Sequence, residues 1–145
     1  MVYNVGQSGI HSSLWIHEGA ENGTTNGGNR KFYTNMHVDN NVIYDIGYIG
    51  TYLMCAKDST INRNEVYRTG MTPTQVRSAG DCGIMAICCE DTDIMYNITY
   101  DNRNAFYTVD AMGIDIDWNT VNINVQYNYC YGSVGPGIGT MACKD

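Results

Sequence analysis

The chain has 145 residues, 43% of them hydrophobic, which is enough for one domain to bury a core without metals or disulfide staples. Only 16% are charged, and 8 Lys plus Arg stand against 15 Asp plus Glu for a net charge of −7, so the basic footprint of a nucleic-acid binder is missing. No apolar run approaches the ~18 residues of a membrane helix, and Met1–Ile10 has no charged segment followed by an apolar one, so neither membrane insertion nor a signal peptide is expected.

In chain order, Ser13 to His17 and Lys31 to Val38 read as strands. The Gly-, Asn- and Thr-rich segment from Glu18 to Asn29 between them is too polar to pack. Val42 to Met54 is rich in β-branched and aromatic residues, with bends expected at Gly47 and Gly50. Thr74 to Ala79 offers at most a turn or two of helix, and Ile84 to Cys89 is a short apolar run that reads as a buried strand. Ile94, Tyr96, Ile98 and Tyr100 alternate with Met95, Asn97 and Thr99, after which Asp101 to Asn104 reads as a hairpin loop with a returning strand from Ala105 to Val109. Ile114, Ile116 and Trp118 share one strand face opposite Asp115 and Asp117. Val121, Ile123, Val125, Tyr127, Tyr129 and Tyr131 share another, opposite Asn122, Asn124, Gln126, Asn128 and Cys130. The apolar parity flips between Trp118 and Val121, which requires a tight turn or bulge at Asn119-Thr120.

The expected fold is therefore one all-β domain over residues 1–145 with little or no helix. About 8–10 short antiparallel strands would form a sandwich, a jelly-roll-like fold or a small barrel. One weak repeat is visible, Ile49-Gly50-Thr51 against Ile138-Gly139-Thr140 within longer similar stretches.

The sharpest local motif is Gly80-Asp81-Cys82-Gly83. It resembles the nucleophile turn of the chymotrypsin-like cysteine proteases of picornaviruses. The resemblance implies Cys82 as nucleophile, flanking amides as oxyanion hole, His17 or His37 as base and Asp45 as the orienting acid. Asp-Cys-Gly also occurs in ubiquitin-like-protein proteases, where Gln75 would stand for the oxyanion glutamine. The competing reading is a turn leading into the strand at Ile84, with Cys82 inert. Metal chemistry has little to build on. His11 and His17 have no third ligand, and Glu90, Asp91 and Asp93 form an acidic loop without the Asp-x-Asp-x-Asp-Gly order of a calcium site. No cofactor is indicated. Asn22 and Asn97 head glycosylation sequons that carry meaning only in a secretory pathway. Six cysteines suggest either disulfides in an oxidising compartment or buried thiols in a reducing one.

Tyr127, Tyr129 and Tyr131, with Tyr96 and Tyr100 on a neighbouring strand, form the candidate binding or interface set, because tyrosine pairs a large apolar body with a polar tip. The functional expectation is a non-enzymatic structural or binding module on a virion or other extracellular surface. Its concrete version is a phage or viral decoration, fibre-tip or knob protein that forms a homotrimer or larger assembly with itself, and that contacts a glycan or other virion proteins. The alternatives are a small cysteine protease using Cys82 and a carbohydrate-binding, lectin-like domain.

Overall fold

The computed structural model describes residues 1–12, 32–72, 81–103 and 110–141, through which the chain winds across three sheets in cyclic order. β1 (Val2–Val5) opens sheet A, β2 (Ile10–Ser12) sheet B, and β3 (Tyr33–Thr34) with β4 (His37–Asp39) sheet C. The second turn is β5 (Val42–Ile46), β6 (Thr51–Met54) and β7 (Ala56–Asn62), and the third is β8 (Glu65–Tyr67), β9 (Ile84–Ile87) and β10 (Glu90–Met95). The fourth is β11 (Ile98–Tyr100), β12 (Ile114–Ile116) and β13 (Val121–Gln126), and β14 (Tyr129–Tyr131) and β15 (Ile138–Thr140) begin a fifth. Every pairing is parallel and joins a strand to its counterpart one turn away. Such an arrangement is a three-sided parallel β-helix, a solenoid whose rungs contact only their neighbours.

The expectation of an all-β chain holds, and no helix occurs among the described residues. The antiparallel sandwich, jelly roll or barrel does not: the strands form three parallel sheets. Period-2 alternation and frequent turn signals are common to both architectures, and only the stacking of residues a full turn apart distinguishes them. Asp101 follows β11 in a left-handed conformation at φ 53°, and the expected loop from Asp101 reaches Asn104, outside the described residues. The returning strand at Ala105 to Val109, the strand at Ser13 to His17 and the helical turn at Thr74 to Ala79 lie outside the described residues.

Side-chain columns hold the rungs together. The interior is filled by residues in register, such as Ile43 over Val66 and Ile84 over Ile114, each fully buried. Both within strands and at the corners between them, left-handed residues recur in register at φ between 45° and 65°. One column is Asn4, Asp45, Arg68, Asp101 and Gly132, another is Asn35, Asp58, Asp91 and Asn122, and a third is Asn40, Arg63, Tyr96 and Tyr127. Asn and Asp tolerate this conformation best among residues with a Cβ, and the three columns hold four of the sixteen asparagines of the chain. A glycine column, Gly9, Gly50, Gly83, Gly113 and Gly137, precedes each strand of sheet B. A Cβ on any of the first four would come within 2.5 to 2.7 Å of the next glycine's carbonyl oxygen, so only glycine lets the rungs close. The true repeat therefore aligns Gly50-Thr51 with Gly137-Ile138, two residues away from the alignment of Ile49-Gly50-Thr51 with Ile138-Gly139-Thr140.

An asparagine ladder closes the corner between sheets C and A. The backbone N–H groups of Asn41, Asn64 and Asn97 donate to the side-chain oxygens of Asn64, Asn97 and Asn128 at 3.0, 2.9 and 2.8 Å. The amide nitrogens of Asn64, Asn97 and Asn128 donate to the carbonyls of Val38, Ile61 and Ile94 at 2.7 to 2.8 Å. Asn97 is fully buried in this ladder, so its sequon offers no free amide in the folded protein.

Candidate functional site

The left-handed columns reset the strand alternation and so redistribute the predicted site residues. Tyr96 and Tyr127 sit at left-handed corners. After each corner an asparagine points inward, Asn97 buried and Asn128 half-buried. Ile98 and Tyr129 then point out, Thr99 and Cys130 point in, and Tyr100 and Tyr131 point out. The single apolar face from Val121 to Tyr131 does not exist: Ile123 and Val125 pack on the core in sheet C, whereas Tyr129 and Tyr131 belong to sheet A.

What replaces it is a longer aromatic array. Tyr3, Tyr44, Tyr67, Tyr100 and Tyr131 stack one per rung down the outer face of sheet A, with ring centroids 4.6 to 5.2 Å apart and planes within 8°. Tyr96 and Tyr127 form a second stack at 4.9 Å, and Tyr129 leans on Tyr131 at 5.1 Å. The rung spacing of a parallel sheet dictates these distances, so in-register tyrosines stack in an offset-parallel manner. Arg68 braces the array, with its guanidinium 4.7 Å from the Tyr67 ring centroid while it grips Asp45 through two hydrogen bonds of 2.6 and 2.8 Å. That pairing holds the Asp45 carboxyl below the usual range and raises Arg68 further. Tyr100 donates its hydroxyl proton to Glu65 at 2.9 Å; burial first, then this bond, raises its pKa. Because ring faces are turned toward one another along the solenoid axis, the surface offered to a partner consists of ring edges and hydroxyls.

All five predicted tyrosines therefore lie on the outside of the solenoid, around one corner and the adjoining sheet. Tyr3, Tyr44 and Tyr67 were missed by reasoning along single strands. Their signal is the recurrence of tyrosine at the same place in successive rungs, visible only once the variable rung length is known.

The residues suggested for cysteine-protease chemistry are not brought together. Cys82 precedes β9 in sheet B, His37 is on β4 in sheet C, and Asp45 on β5 in sheet A; His17 lies outside the described residues. His37 is held by the Thr60 hydroxyl at 2.9 Å and the Asn35 side-chain oxygen at 3.0 Å. Cys82 is fully buried in a small second core with Ile49, Met85 and Met112 on the outer side of sheet B. Burial, then the carboxylates of Asp115, Asp110, Asp81 and Asp117, push its thiol well above the ordinary range. Gly83 serves the glycine column instead of an oxyanion hole.

Asp115 departs from expectation too. Asp115 was expected on a solvated outer face, but it is buried, in register with Tyr52 and Met85. Burial and then Asp117 and Asp110 raise its carboxyl to about 7, and its Oδ1 has no hydrogen-bond partner among the described residues. The acidic loop at Glu90, Asp91 and Asp93 is strand β10: Lys57 pairs with Glu90 at 3.1 Å and with Asp91 at 3.4 Å, and Asn124 donates to Asp93 at 3.2 Å. Among the described residues no group of His, Cys, Asp and Glu has the arrangement of a metal site, none forms a disulfide, and no helix is long and apolar enough to cross a membrane. Comparison with protein-family models, with curated proteins and with solved structures gave no match to this chain.

Proposed function

We propose that this chain is a non-enzymatic structural and binding module of a particle or cell surface, most concretely a fibre, knob or decoration protein of a phage or virus, and that it associates side by side with copies of itself through the outer face of sheet A. The observation that carries this reading is the tyrosine ladder, which runs through every rung of one flat face. Tyrosines already locked against one another lose little entropy on binding, and their edges and hydroxyls suit a partly wet protein interface. Within the face Asp45 and Arg68 cancel, and Glu65 accepts from the Tyr100 hydroxyl. A homotrimer is the closed form adopted here, with one such face from each copy turned toward a common axis.

A glycan is the second reading. Sugar stacking needs open ring faces, and the ladder leaves these only at its two ends, Tyr3 and Tyr131, and at the exposed Tyr127 and Tyr129. That favours a protein partner for the ladder as a whole. Light scattering on the purified chain tests the proposal: a trimer near three times 16.1 kDa is expected, and Tyr129→Lys, at a position 64% exposed, should lower the mass while leaving the strand spectrum unchanged. A wild-type monomer that binds a glycan array would replace it with the lectin reading.

A further inference from the structure

The rings of the tyrosine ladder carry a chemistry of their own. A phenol is among the side chains most readily stripped of one electron, and the hydroxyl of the cation so formed is acidic enough that its proton must leave at once. Oxidation is therefore favoured at a tyrosine whose hydroxyl already faces a base within hydrogen-bond reach, roughly 2.6–3.2 Å.

Among the five rings of the ladder this condition is met once. Tyr100 donates its hydroxyl proton to Glu65 Oε1 at 2.9 Å. Glu65 opens β8 in register with Ile98 and stands two residues before Tyr67, on the outer face of sheet A beside the stack. The Tyr44 hydroxyl meets the thioether sulfur of Met1 at 3.7 Å, which is no base. Among the described residues no carboxylate accepts from the hydroxyl of Tyr3, Tyr67 or Tyr131.

Charge grades the ladder in the same direction. The Arg68 guanidinium lies 4.7 Å from the Tyr67 ring centroid and 5.6 Å from that of Tyr44, and a cation over a ring face opposes a second positive charge in it. The pairing of Arg68 with Asp45 offsets part of that charge, whereas Tyr100 has a carboxylate of its own. Tyr96, in the separate stack with Tyr127, carries the Arg63 guanidinium 5.5 Å from its centroid.

The stacking makes this one position available to the whole face. Tyr67 and Tyr131 flank Tyr100 with centroids 4.6 and 4.9 Å away, and Tyr44 and Tyr3 follow at 5.1 and 5.2 Å. Rings in contact exchange an electron without an intervening bridge, so an oxidised ring anywhere in the stack can draw its electron from Tyr100. Tyr100 is half-buried between two rings, which shield a radical there from meeting a second one.

We propose that the ladder is a one-electron oxidation site in which the radical collects on Tyr100 and its proton on Glu65. The oxidant is an outer-sphere one-electron acceptor, a high-valent metal complex, which takes the electron from any ring of the stack and is reduced by one electron. Tyr100 ends as the neutral phenoxyl with its O–H bond broken, and Glu65 as the carboxylic acid; no other bond is made or broken. Burial and the bond to Glu65 disfavour the Tyr100 phenolate, so the proton leaves with the electron and not before it. The site is complete within one chain and does not depend on how copies associate.

Flash photolysis of the purified chain with a ruthenium tris-bipyridine complex and persulfate tests this. Electron paramagnetic resonance of samples frozen after the flash should show one dominant phenoxyl with a single hyperfine pattern, because the Tyr100 ring is fixed between its neighbours. Tyr100→Phe keeps a stacked ring and should remove that pattern. Glu65→Gln keeps an acceptor oxygen but removes the base; it should cut the yield of this radical several-fold, with dityrosine from the exposed Tyr127 and Tyr129 rising in its place. A ring-fluorinated tyrosine placed at position 100 alone should add a fluorine splitting to the wild-type pattern, which assigns the radical even should either variant fail to fold. An unchanged pattern in Tyr100→Phe, a missing fluorine splitting, or equal yields in wild type and Glu65→Gln would overturn the proposal. So would a wild-type chain whose radicals sit on Tyr127 and Tyr129 and end as dityrosine.

Discussion

A cysteine reacts as its thiolate, and Cys82 occupies a position where that ion is doubly opposed, by burial and by four surrounding carboxylates. Cys89 is buried in the core at the corner between β9 and β10, and burial pushes its thiol up to about 12. Iodoacetamide at neutral pH should therefore leave both unmodified in the native protein and label both after denaturation; rapid native labelling of Cys82 would restore the case for a nucleophile. The Asp115 carboxyl makes a prediction with a sign. Its folded value of about 7 lies above its ordinary value of 3.8. Between those values the unfolded chain gives up the proton and the folded chain keeps it, so stability falls as pH rises from about 4 to about 7 and levels off above that. Asp115→Asn should flatten this slope and stabilise the protein at pH 8 by on the order of 2–4 kcal/mol. Urea unfolding at several pH values measures both, and an Asn variant that is less stable than wild type at pH 8 would show that the ionised carboxylate has a stabilising partner.

At the scale of the elements, asparagine is the residue that the sequence shows most plainly and explains least. Alternation identified the inward Ile114 and Ile116, and the parity flip located the corner at Asn119, where φ is 59°. The same logic put Ile98 and Tyr100 on one face with Ile94, which is buried while Ile98 is exposed, because it treated Tyr96 as one more strand residue when its φ is 57°. A left-handed tyrosine has no local sequence signature; only the equivalence of position 96 with Asn40 reveals it. That equivalence is hidden by uneven rungs: the asparagines of the ladder are 23, 33 and 31 residues apart, and a fixed-period search passes over them. Individual strands and corners were thus legible, whereas the parallel stacking and the full tyrosine ladder were not. The ladder also predicts a gradient of cost. Asn97→Ala would leave the Asn64 N–H and the Ile61 carbonyl buried without partners, for a loss of roughly 3–5 kcal/mol. Asn128→Ala removes equivalent bonds at a half-buried position near the end of the solenoid, where water can take them over, and should cost roughly 1–2 kcal/mol. Equal losses in denaturant unfolding would mean that the terminal rung is as closed as the central ones.

For the whole molecule, the consequence of stacking is that almost no stabilising contact is local. Paired strands are separated by a full turn of chain, from 23 residues between Val42 and Glu65 to 41 between Val2 and Ile43. Against 145 residues this corresponds to a relative contact order of about 0.2, in the range of slowly folding β proteins, so refolding is expected on the scale of milliseconds to seconds or slower. The first pairing to form should be the one with the smallest loop to close. That is the contact of β5 with β8 and of β3 and β4 with β7, where the turn has its minimum length of 23 residues. The pairings of β8 with β11 and β6 with β9 close 33 residues each and come at greater entropic cost. Val66, the middle residue of β8, closes this shortest turn and is fully buried beside Ile43. Val66→Ala should therefore appear mainly as slower refolding, whereas Ile116→Ala, in the fourth rung, should appear mainly as faster unfolding. Stopped-flow fluorescence on the two variants decides between this order and its reverse. If Val66→Ala changed only the unfolding rate, the solenoid would be nucleating elsewhere, and loop length would not be what selects its first pair of rungs.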